Sequence, residues 1–265
     1  MFGAKNIMVE ANGAKMPCAV FGKGSKNIIL LPGVGDGLTT VEGKAFFLGL
    51  MYRNLIKDYR VYVFSRRKPL PEGFGTAEMA EDLSAAMDSL GIKKASVIGV
   101  SMGGMIAQHL AAKFPEKMER LVLVVTAAKK TPEMEILNEW LKMAENGDGV
   151  ALMDSSVYNM YSDSYYKKNR WLTGITGRFA VPKSYERFIR MSTACLEHDA
   201  SAVLCNIKAP TLVIGGGMDR TVGIEASREL ADKIPGAKLY VYENLRHALY
   251  DEAPDFMDRV AEFIG

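Results

Sequence analysis

One stretch decides the fold: Ala95-Ser-Val-Ile-Gly-Val-Ser101-Met-Gly-Gly-Met105, in which an apolar β-branched run leads into a sequence of good helix formers. Its centre, from Gly99 to Gly103, has the pattern G-x-S-x-G. Between a strand and a helix this pattern is typical of a serine held on a sharp turn, with small neighbours that allow close packing. The pattern alone also occurs by chance in glycine-rich turns. The strand-turn-helix context favours the first interpretation, so we predict that Ser101 is a nucleophile.

Strand-like and helix-like segments alternate on both sides of this stretch. Eight short runs predict strands: Asn6–Glu10, Ala19–Phe21, Asn27–Leu31, Arg60–Phe64, Ala95–Val100, Leu121–Thr126, Thr211–Ile214 and Lys238–Tyr242. Helical periodicity covers Glu42–Tyr59, Thr76–Leu90, Met102–Phe114, Gly223–Ile234 and Glu252–Ile264. Because helices supply the crossovers that parallel strands need, the order predicts an α/β fold, a mostly parallel eight-stranded sheet with helices on both faces. The turn at Ala11-Asn-Gly13 predicts an antiparallel edge.

The alternation stops between Lys129 and Leu196, where helical pieces rich in Met and aromatic residues predict an inserted helical cap. The predicted organisation is a first part of the core (1–130), the cap (131–196) and a second part of the core (197–265). Substrate-contacting candidates in the cap are large aromatic side chains, although a cap also needs such residues for its own packing. They are Trp140, Tyr158, Tyr161 and Trp171.

A serine nucleophile needs a base, and the chain has three histidines. His109 lies on the helix that Ser101 opens, at ~12 Å of axial rise, and cannot reach the hydroxyl. His198 lies in a helical stretch where a solvated position is the simpler expectation. His247 follows the last predicted strand, so it reaches the sheet edge where reactive residues of such folds gather. It is the predicted base.

The predicted acid is Asp219, because it follows the glycine-rich end of the strand at Thr211–Ile214 and lies between the serine and the histidine in sequence. Thr126-Ala-Ala, after the preceding strand, offers no carboxylate. For an oxyanion we predict two backbone donors, Met102 N–H and Val34 N–H. Val34 lies in Leu31-Pro-Gly-Val-Gly-Asp-Gly37, which we expect to be a flexible loop. This loop matches neither the phosphate-binding nor the dinucleotide-binding glycine pattern.

Composition narrows the class of partner. The 33 Lys and Arg against 31 Asp and Glu give a net charge of +2, and the two signs are scattered, so we expect neither nucleic acid nor a membrane surface as partner. The three cysteines lack metal-ligand spacing, so no metal is predicted. The amino terminus lacks a signal-peptide core, and apolar runs are far below the roughly 20 residues that span a bilayer, so we expect a cytoplasmic protein. Homodimer formation is left open.

Four motifs in order resemble the α/β-hydrolase superfamily across essentially the whole chain: Leu31-Pro-Gly-Val-Gly, Gly99-Val-Ser-Met-Gly-Gly, Thr211-Leu-Val-Ile-Gly-Gly-Gly-Met-Asp219, and Arg246-His247 followed by Pro254. The resemblance implies the triad Ser101, Asp219 and His247 and a lid after the sixth strand. Two departures are Pro32-Gly33 in place of His-Gly, and Ser65-Arg-Arg-Lys-Pro-Leu-Pro71 in place of Asp-x-x-Gly-x-Gly-x-Ser. The second makes the local loop conformation and the pocket rim hard to predict.

The expected activity is hydrolysis of a carboxylic ester or lactone of a small, largely apolar molecule through an acyl-enzyme, with no cofactor. On the same triad, a carbon–carbon bond hydrolase and a cofactor-free perhydrolase are alternatives. A binding protein that keeps the fold without turnover is the alternative from another class. Seven Lys and Arg residues between 167 and 190 suggest an acidic acyl group, but a solvated face explains them more simply.

Overall fold

The computed structural model describes residues 3–55, 58–179 and 182–265. It contains an eight-stranded sheet in the order β1-β2-β4-β3-β5-β6-β7-β8. The strands are β1 (Lys5–Ala11), β2 (Ala14–Phe21), β3 (Lys26–Leu31), β4 (Tyr59–Phe64), β5 (Ala95–Val100), β6 (Met118–Val124), β7 (Thr211–Gly216) and β8 (Lys238–Tyr242). All eight predicted strands are present. Strand β2 is antiparallel to β1, as the turn predicted. It is also antiparallel to β4, and the pairs from β4 to β8 are parallel.

The helices are α1 (Ala45–Met51), α2 (Thr76–Ser89), α3 (Met102–Lys113), α4 (Ile136–Glu145), α5 (Gly149–Met160), α6 (Asp163–Phe179), α7 (Glu186–Leu196), α8 (Ile224–Lys233), α9 (Leu249–Glu252) and α10 (Phe256–Ile264). The predicted helix Glu42–Tyr59 is longer than α1, because turns follow from Tyr52 to Leu55 and the chain re-enters the sheet at Tyr59. Residues 56 and 57 of that prediction lie outside the described residues.

The two faces of the sheet bury separate apolar clusters. Alternate residues of β3 point to opposite faces: Ile29 packs in the cluster under α2 and α3, and Ile28 in the cluster under α1 and α10. Both side chains are fully buried. This two-sided burial explains why the central strands are continuous apolar runs and not alternating ones.

Between β6 and β7 the named elements of the described chain are all helical: the 3₁₀ turns Pro132–Glu135 and Leu204–Asn206, and α4 to α7. We call residues 132–196 the helical insertion. Residues 180 and 181 within it lie outside the described part. The boundaries at 131 and 196 stay a prediction for the cap as a unit.

Parallel pairing brings the carboxyl ends of β3, β5, β7 and β8 to one edge of the sheet. The loops that carry Val34, Ser101, Asp219 and His247 follow these four strands. The sheet therefore gathers at one edge the segments singled out from the sequence.

Candidate active site

Ser101 lies on a strained turn between β5 and α3. Its backbone has φ 52° and ψ −119°, a region that residues other than glycine rarely adopt and that costs about 1–3 kcal/mol. Two hydrogen bonds to the segment of β6 hold it there. Ser101 N–H donates to Val124 O at 2.9 Å, and Thr126 Oγ1 donates to Ser101 O at 2.7 Å.

The glycines around Ser101 are required by close backbone contacts. A Cβ atom on Gly103 would lie 2.0 Å from the carbonyl oxygen of Leu31. A Cβ atom on Gly99 would lie 2.5 Å from the carbonyl oxygen of Gly103. Helix α3 thus packs against strands β3 and β5 at a distance that only glycine allows, which aims its first turn at the loop after β3.

Asp219 and His247 form a buried pair. Asp219 Oδ2 lies 2.8 Å from His247 Nδ1, and both side chains are almost fully buried. The other oxygen, Asp219 Oδ1, accepts hydrogen bonds from the backbone N–H groups of Thr221 at 2.7 Å and Val222 at 3.1 Å. These contacts fix the carboxylate, so it can orient the imidazole through Nδ1 and leave Nε2 for another partner.

Ser101 and His247 line one cavity of about 410 Å³. Within the described part of the chain no hydrogen bond joins Ser101 Oγ to the imidazole. Nucleophile–base hydrogen bonds are often long in ligand-free proteins and shorten when substrate binds.

The two predicted oxyanion donors are each the first residue of a helical segment. Met102 begins α3, and Val34 begins the 3₁₀ helix Val34–Gly37. An N–H group at such a position has no acceptor within its own helix. The loop before Val34 contacts the nucleophile, because a Cβ atom built on Gly33 would lie 3.3 Å from Ser101 Cβ.

Asp36 holds this loop, a role that no sequence motif indicates. Its Oδ1 accepts a hydrogen bond from Ser65 Oγ, and its Oδ2 accepts one from the Arg66 backbone N–H at 3.1 Å. The Arg66 guanidinium is fully buried and donates to Pro32 O and, at 3.1 Å, to Phe64 O. Burial lowers the pKa of Arg66 below its usual value, while the Asp36 carboxylate opposes that shift.

Arg187 on α7 completes the cluster. Its Nη2 lies 2.8 Å from Asp36 Oδ2 and donates to Arg66 O at 3.0 Å, while Nη1 donates to Arg67 O at 2.7 Å. The expectation of a flexible loop is therefore wrong, because a buried carboxylate and two guanidinium groups fix it. The residues that replace the usual superfamily pattern, from Ser65 onward, supply these contacts.

Of the four aromatic candidates in the insertion, the structure brings Trp140 to the cavity wall, where it is buried and donates from Nε1 to Ser155 Oγ at 3.0 Å. The lining does not include Tyr158, Tyr161 or Trp171. Trp171 is 65% exposed on α6. Helical periodicity does not reveal which face of an insertion helix turns inward, because packing against the core decides it.

Tyr158 and Tyr161 lie instead at the junction of α5 and α6, where their backbone is tied to the base. Arg246, which is 1% exposed, donates from Nη1 to Tyr158 O at 2.9 Å and to Tyr161 O at 2.7 Å. Its Nη2 lies 2.6 Å from Asp163 Oδ1. On the other side of His247, Ala248 N–H donates to Met160 O at 2.8 Å. We call this group of contacts the base anchor.

The other two histidines lie away from the cavity. The solvated position expected for His198 is wrong, since it is buried, accepts or donates at Nδ1 with Thr76 Oγ1 at 2.8 Å, and packs edge-on against His109 at 5.2 Å between ring centroids. Burial lowers the pKa of His198 to about 3, and His109 adds to the shift. Burial also lowers the pKa of His109.

A larger surface groove of about 590 Å³, lined by Glu72, Phe74, Glu186 and Glu197 among others, contains none of the predicted catalytic residues. Over the described ranges, no cluster of His, Cys, Asp or Glu is arranged to hold a metal ion. Among the same residues, no helix has both the length and the apolar character needed to cross a bilayer.

The fold and the arrangement of residues at this edge of the sheet indicate which class of protein this is. The family model described as the alpha/beta hydrolase fold matches residues 26–254, most of the chain. The chain belongs to the α/β hydrolase fold family. The two curated relatives described next are both named as hydrolases.

Two curated relatives and one solved structure illustrate the range of activities named for proteins similar to this chain. The chain is 26% identical over 231 residues to the candidate carbamate hydrolase RutD of Stutzerimonas stutzeri, covering 80% of this chain and 85% of that protein. It is 27% identical over 271 residues to the 2-hydroxy-6-oxononadienedioate/2-hydroxy-6-oxononatrienedioate hydrolase of Paraburkholderia phymatum, covering 92% and 88%. The enol-lactonase of Burkholderia xenovorans superimposes with a TM-score of 0.83 at 23% identity, covering 97% and 99%. That last likeness concerns the fold alone.

Proposed function

We propose that this protein hydrolyses a carboxylic ester or lactone of a small, largely apolar substrate through an acyl-enzyme on Ser101. One observation carries the proposal: a strained serine and the buried Asp219–His247 pair, 2.8 Å apart at Oδ2 and Nδ1, meet one mostly apolar cavity. Buried titratable pairs in a cavity are typical of catalytic sites.

In the first half of the reaction, His247 Nε2 accepts the proton of Ser101 Oγ as the oxygen attacks the substrate carbonyl carbon. The charge that forms on the carbonyl oxygen is stabilised by the N–H groups of Val34 and Met102. Asp219 stabilises the imidazolium and keeps its proton on Nδ1. The C–O bond to the leaving group then breaks, and His247 gives its proton to the departing alkoxide, which leaves an acyl-Ser101 ester.

In the second half, His247 takes a proton from water, and the hydroxide attacks the acyl carbon. The same two N–H groups stabilise the second oxyanion. As it collapses, Ser101 Oγ leaves and regains a proton from His247, and the product acid is released. The cycle consumes one water and uses no group beyond the side chains and backbone of this chain.

A serine-directed fluorophosphonate probe tests the nucleophile. The folded wild type should form a covalent adduct, which peptide mass spectrometry should locate on Ser101, and Ser101→Ala should not react. Ser96→Ala is the matched control, because Ser96 is also on β5 but is a buried strand residue. Failure of the folded wild type to react, or equal reaction of Ser101→Ala, would contradict the assignment and favour the binding-protein alternative.

Carbon–carbon bond hydrolysis is the second candidate, favoured by the likeness to the oxononadienedioate hydrolases over 92% of the chain. The same oxyanion donors suit a carbonyl next to the bond that breaks. A panel of p-nitrophenyl esters, lactones, thioesters and a vinylogous 1,5-diketone acid, assayed with wild type and Ser101→Ala, separates the two. We expect the larger kcat/KM for the esters or lactones; a larger value for the diketone would replace the lead proposal with the second.

A further inference from the structure

One face of α1 and its flanking residues forms a wall of the active-site cavity. Lys44, Leu48 and Tyr52 all line it. Their spacing is four residues, so the three side chains lie on one side of the helix, one above another. Along the wall the side chain is therefore first an ammonium group (Lys44), then an apolar group (Leu48) and last a phenol (Tyr52).

The wall has an outer and an inner end. Lys44 is half-buried, and its Nζ donates to Oγ1 of the exposed Thr39 at 2.8 Å, which puts the ammonium at the cavity rim. Tyr52 is at the inner end, where burial raises the pKa of its phenol to about 12. Tyr250, three residues after His247, also lines the cavity, and the Tyr52 phenol adds to the raised pKa of Tyr250. The inner end of the wall is thus the end that faces Tyr250.

Lys44 is a charged residue of the cavity wall that has no ion-pair partner in the described ranges. Two charged side chains, Lys44 and Asp36, are among the lining residues. Asp36 is neutralised by Arg187 and lies beside Arg66, whereas no carboxylate in the described ranges comes within 4.0 Å of Lys44 Nζ. Partial burial lowers the pKa of Lys44, with the Asp36 carboxylate acting in the opposite direction. A half-buried ammonium without an ion-pair partner gains stability from an anionic ligand.

The basic residues of the insertion are not placed to bind an anionic ligand in the cavity. Five of the seven are exposed and absent from the lining: Lys167, Lys168, Arg170, Arg178 and Lys183. Arg187 is committed to Asp36, and Arg190 to Glu186 and Leu70 O. These residues therefore give no support to a preference for an acidic acyl group. Lys44 is better placed to produce such a preference.

We propose that Lys44 binds an anionic group of the substrate, remote from the carbonyl that Ser101 attacks, so that the natural substrate is a carboxylate-bearing ester or lactone. The inference rests on the proposed function and adds the substrate class. The carboxylate occupies the rim beside Lys44 and Thr39, and the apolar chain that joins it to the scissile carbonyl runs along Leu48.

Steady-state kinetics with charged and neutral esters of matched length test this inference. The probes are p-nitrophenyl half-esters of succinate, adipate and suberate, each beside the p-nitrophenyl ester of the fatty acid with the same number of carbons. We expect a lower KM for the half-ester at the length that bridges Ser101 and Lys44. Lys44→Met should raise that KM about five- to tenfold, as loss of one charge-assisted contact does, and leave kcat and the neutral esters within about twofold.

Two further variants make the test specific. Lys44→Arg keeps the charge and should restore most of the preference. Lys93→Met removes the same charge from an exposed loop between α2 and β5 and should change nothing. Higher ionic strength should narrow the gap between half-ester and neutral ester in wild type, because the rim is open to solvent. A Lys44→Met enzyme with unchanged KM for every half-ester overturns the inference, as does equal loss with Lys93→Met.

The two proposals fail in different ways. If neutral esters are hydrolysed and Lys44→Met leaves KM for the half-esters unchanged, the proposed substrate class is wrong and the hydrolase proposal stands. If no ester is hydrolysed, calorimetric titration of monomethyl adipate into wild type and Lys44→Met still decides the binding claim. Tighter binding to wild type supports it, and equal or absent binding at millimolar concentration overturns it.

Discussion

Arg187 Nη2 lies 2.8 Å from Asp36 Oδ2, so a residue of the helical insertion is paired with the loop that carries the proposed oxyanion donor Val34. The two side chains are 17% and 1% exposed. The pair is shielded from water, and Arg187 also donates to the backbone carbonyls of Arg66 and Arg67. It therefore restrains the loop more strongly than a surface ion pair would.

Arg187→Met should reduce kcat about tenfold and change KM for a neutral ester by less than about threefold, because a loosened Val34 amide affects the transition state more than substrate binding. Arg187→Lys should recover part of kcat, since it keeps the charge but not the fork of contacts. Arg228→Met is the control: it breaks an exposed pair with Glu225, 55% and 77% exposed. A tenfold rise in KM with kcat intact would show that Arg187 acts on binding instead.

Asp219→Asn should lower kcat by about 10³–10⁴ while the fold remains intact, because an amide cannot stabilise the imidazolium and favours the wrong tautomer. Fluorophosphonate labelling should slow in parallel. Asp232→Asn, an exposed residue of α8, should match wild type in both assays. A loss below tenfold would mean that another carboxylate orients His247.

Arg246→Met should destabilise the protein by about 3 kcal/mol in urea denaturation, because two backbone carbonyls of the α5–α6 junction and Asp163 lose a buried donor. Since Arg246 precedes His247, kcat should fall as well at temperatures where the variant is folded. Asp163→Asn is milder, because that side chain is 62% exposed. Unchanged stability in Arg246→Met would contradict the role of the base anchor.

Low pH should lower the free energy of unfolding through protonation of His198 in the unfolded chain. Its pKa in the folded protein is lowered to about 3, so between pH ~6.5 and pH ~3 the unfolded chain binds a proton that the folded protein does not. Stability is thus lost as pH falls, by about 1.4 kcal/mol per pH unit from this group, or about 2 kcal/mol between pH 6.5 and 5.

His198→Gln should therefore show a shallower decline in urea-unfolding free energy over that interval, whatever its stability at pH 7. The groups that face His198 are Thr76, His109 and Asp199, of which His109 also has a lowered pKa. His109→Gln is measured beside it to separate the two contributions. Parallel pH profiles for wild type and His198→Gln would contradict the prediction.

Gly103→Ala should lower the free energy of unfolding measured with urea by about 3 kcal/mol or more, or prevent folding, since the new Cβ would overlap Leu31 O at 2.0 Å. Gly174→Ala in α6 is the matched control, because a Cβ there has no neighbour within 4 Å. It should stabilise by about 0.5–1 kcal/mol through helix propensity. Equal behaviour of the two variants would mean that α3 and β3 can separate without cost.

The strands and the positions of Ser101, Asp219 and His247 at one sheet edge were predictable, because buried parallel strands are apolar runs and because strand-end residues converge whatever the loop details. The role of Asp36 was not. Its partners Ser65 and Arg187 are 29 and 151 residues away in sequence, and nothing in local periodicity signals such contacts. The burial of His198 was not predictable for a similar reason, because it depends on the packing of α2 and α3 over that side chain.

The base anchor and the Asp36–Arg187 pair together tie the insertion to the core at two places, one beside each half of the proposed catalytic machinery. The insertion is therefore not an interchangeable module. A chimera that carried another protein's insertion would lack Arg187 and the carbonyls that Arg246 binds, and it would loosen the oxyanion loop and the base at once. In this protein we therefore expect substitutions in the core wall of the cavity, such as those on α1, to change the substrate range with less loss of activity than replacement of the insertion.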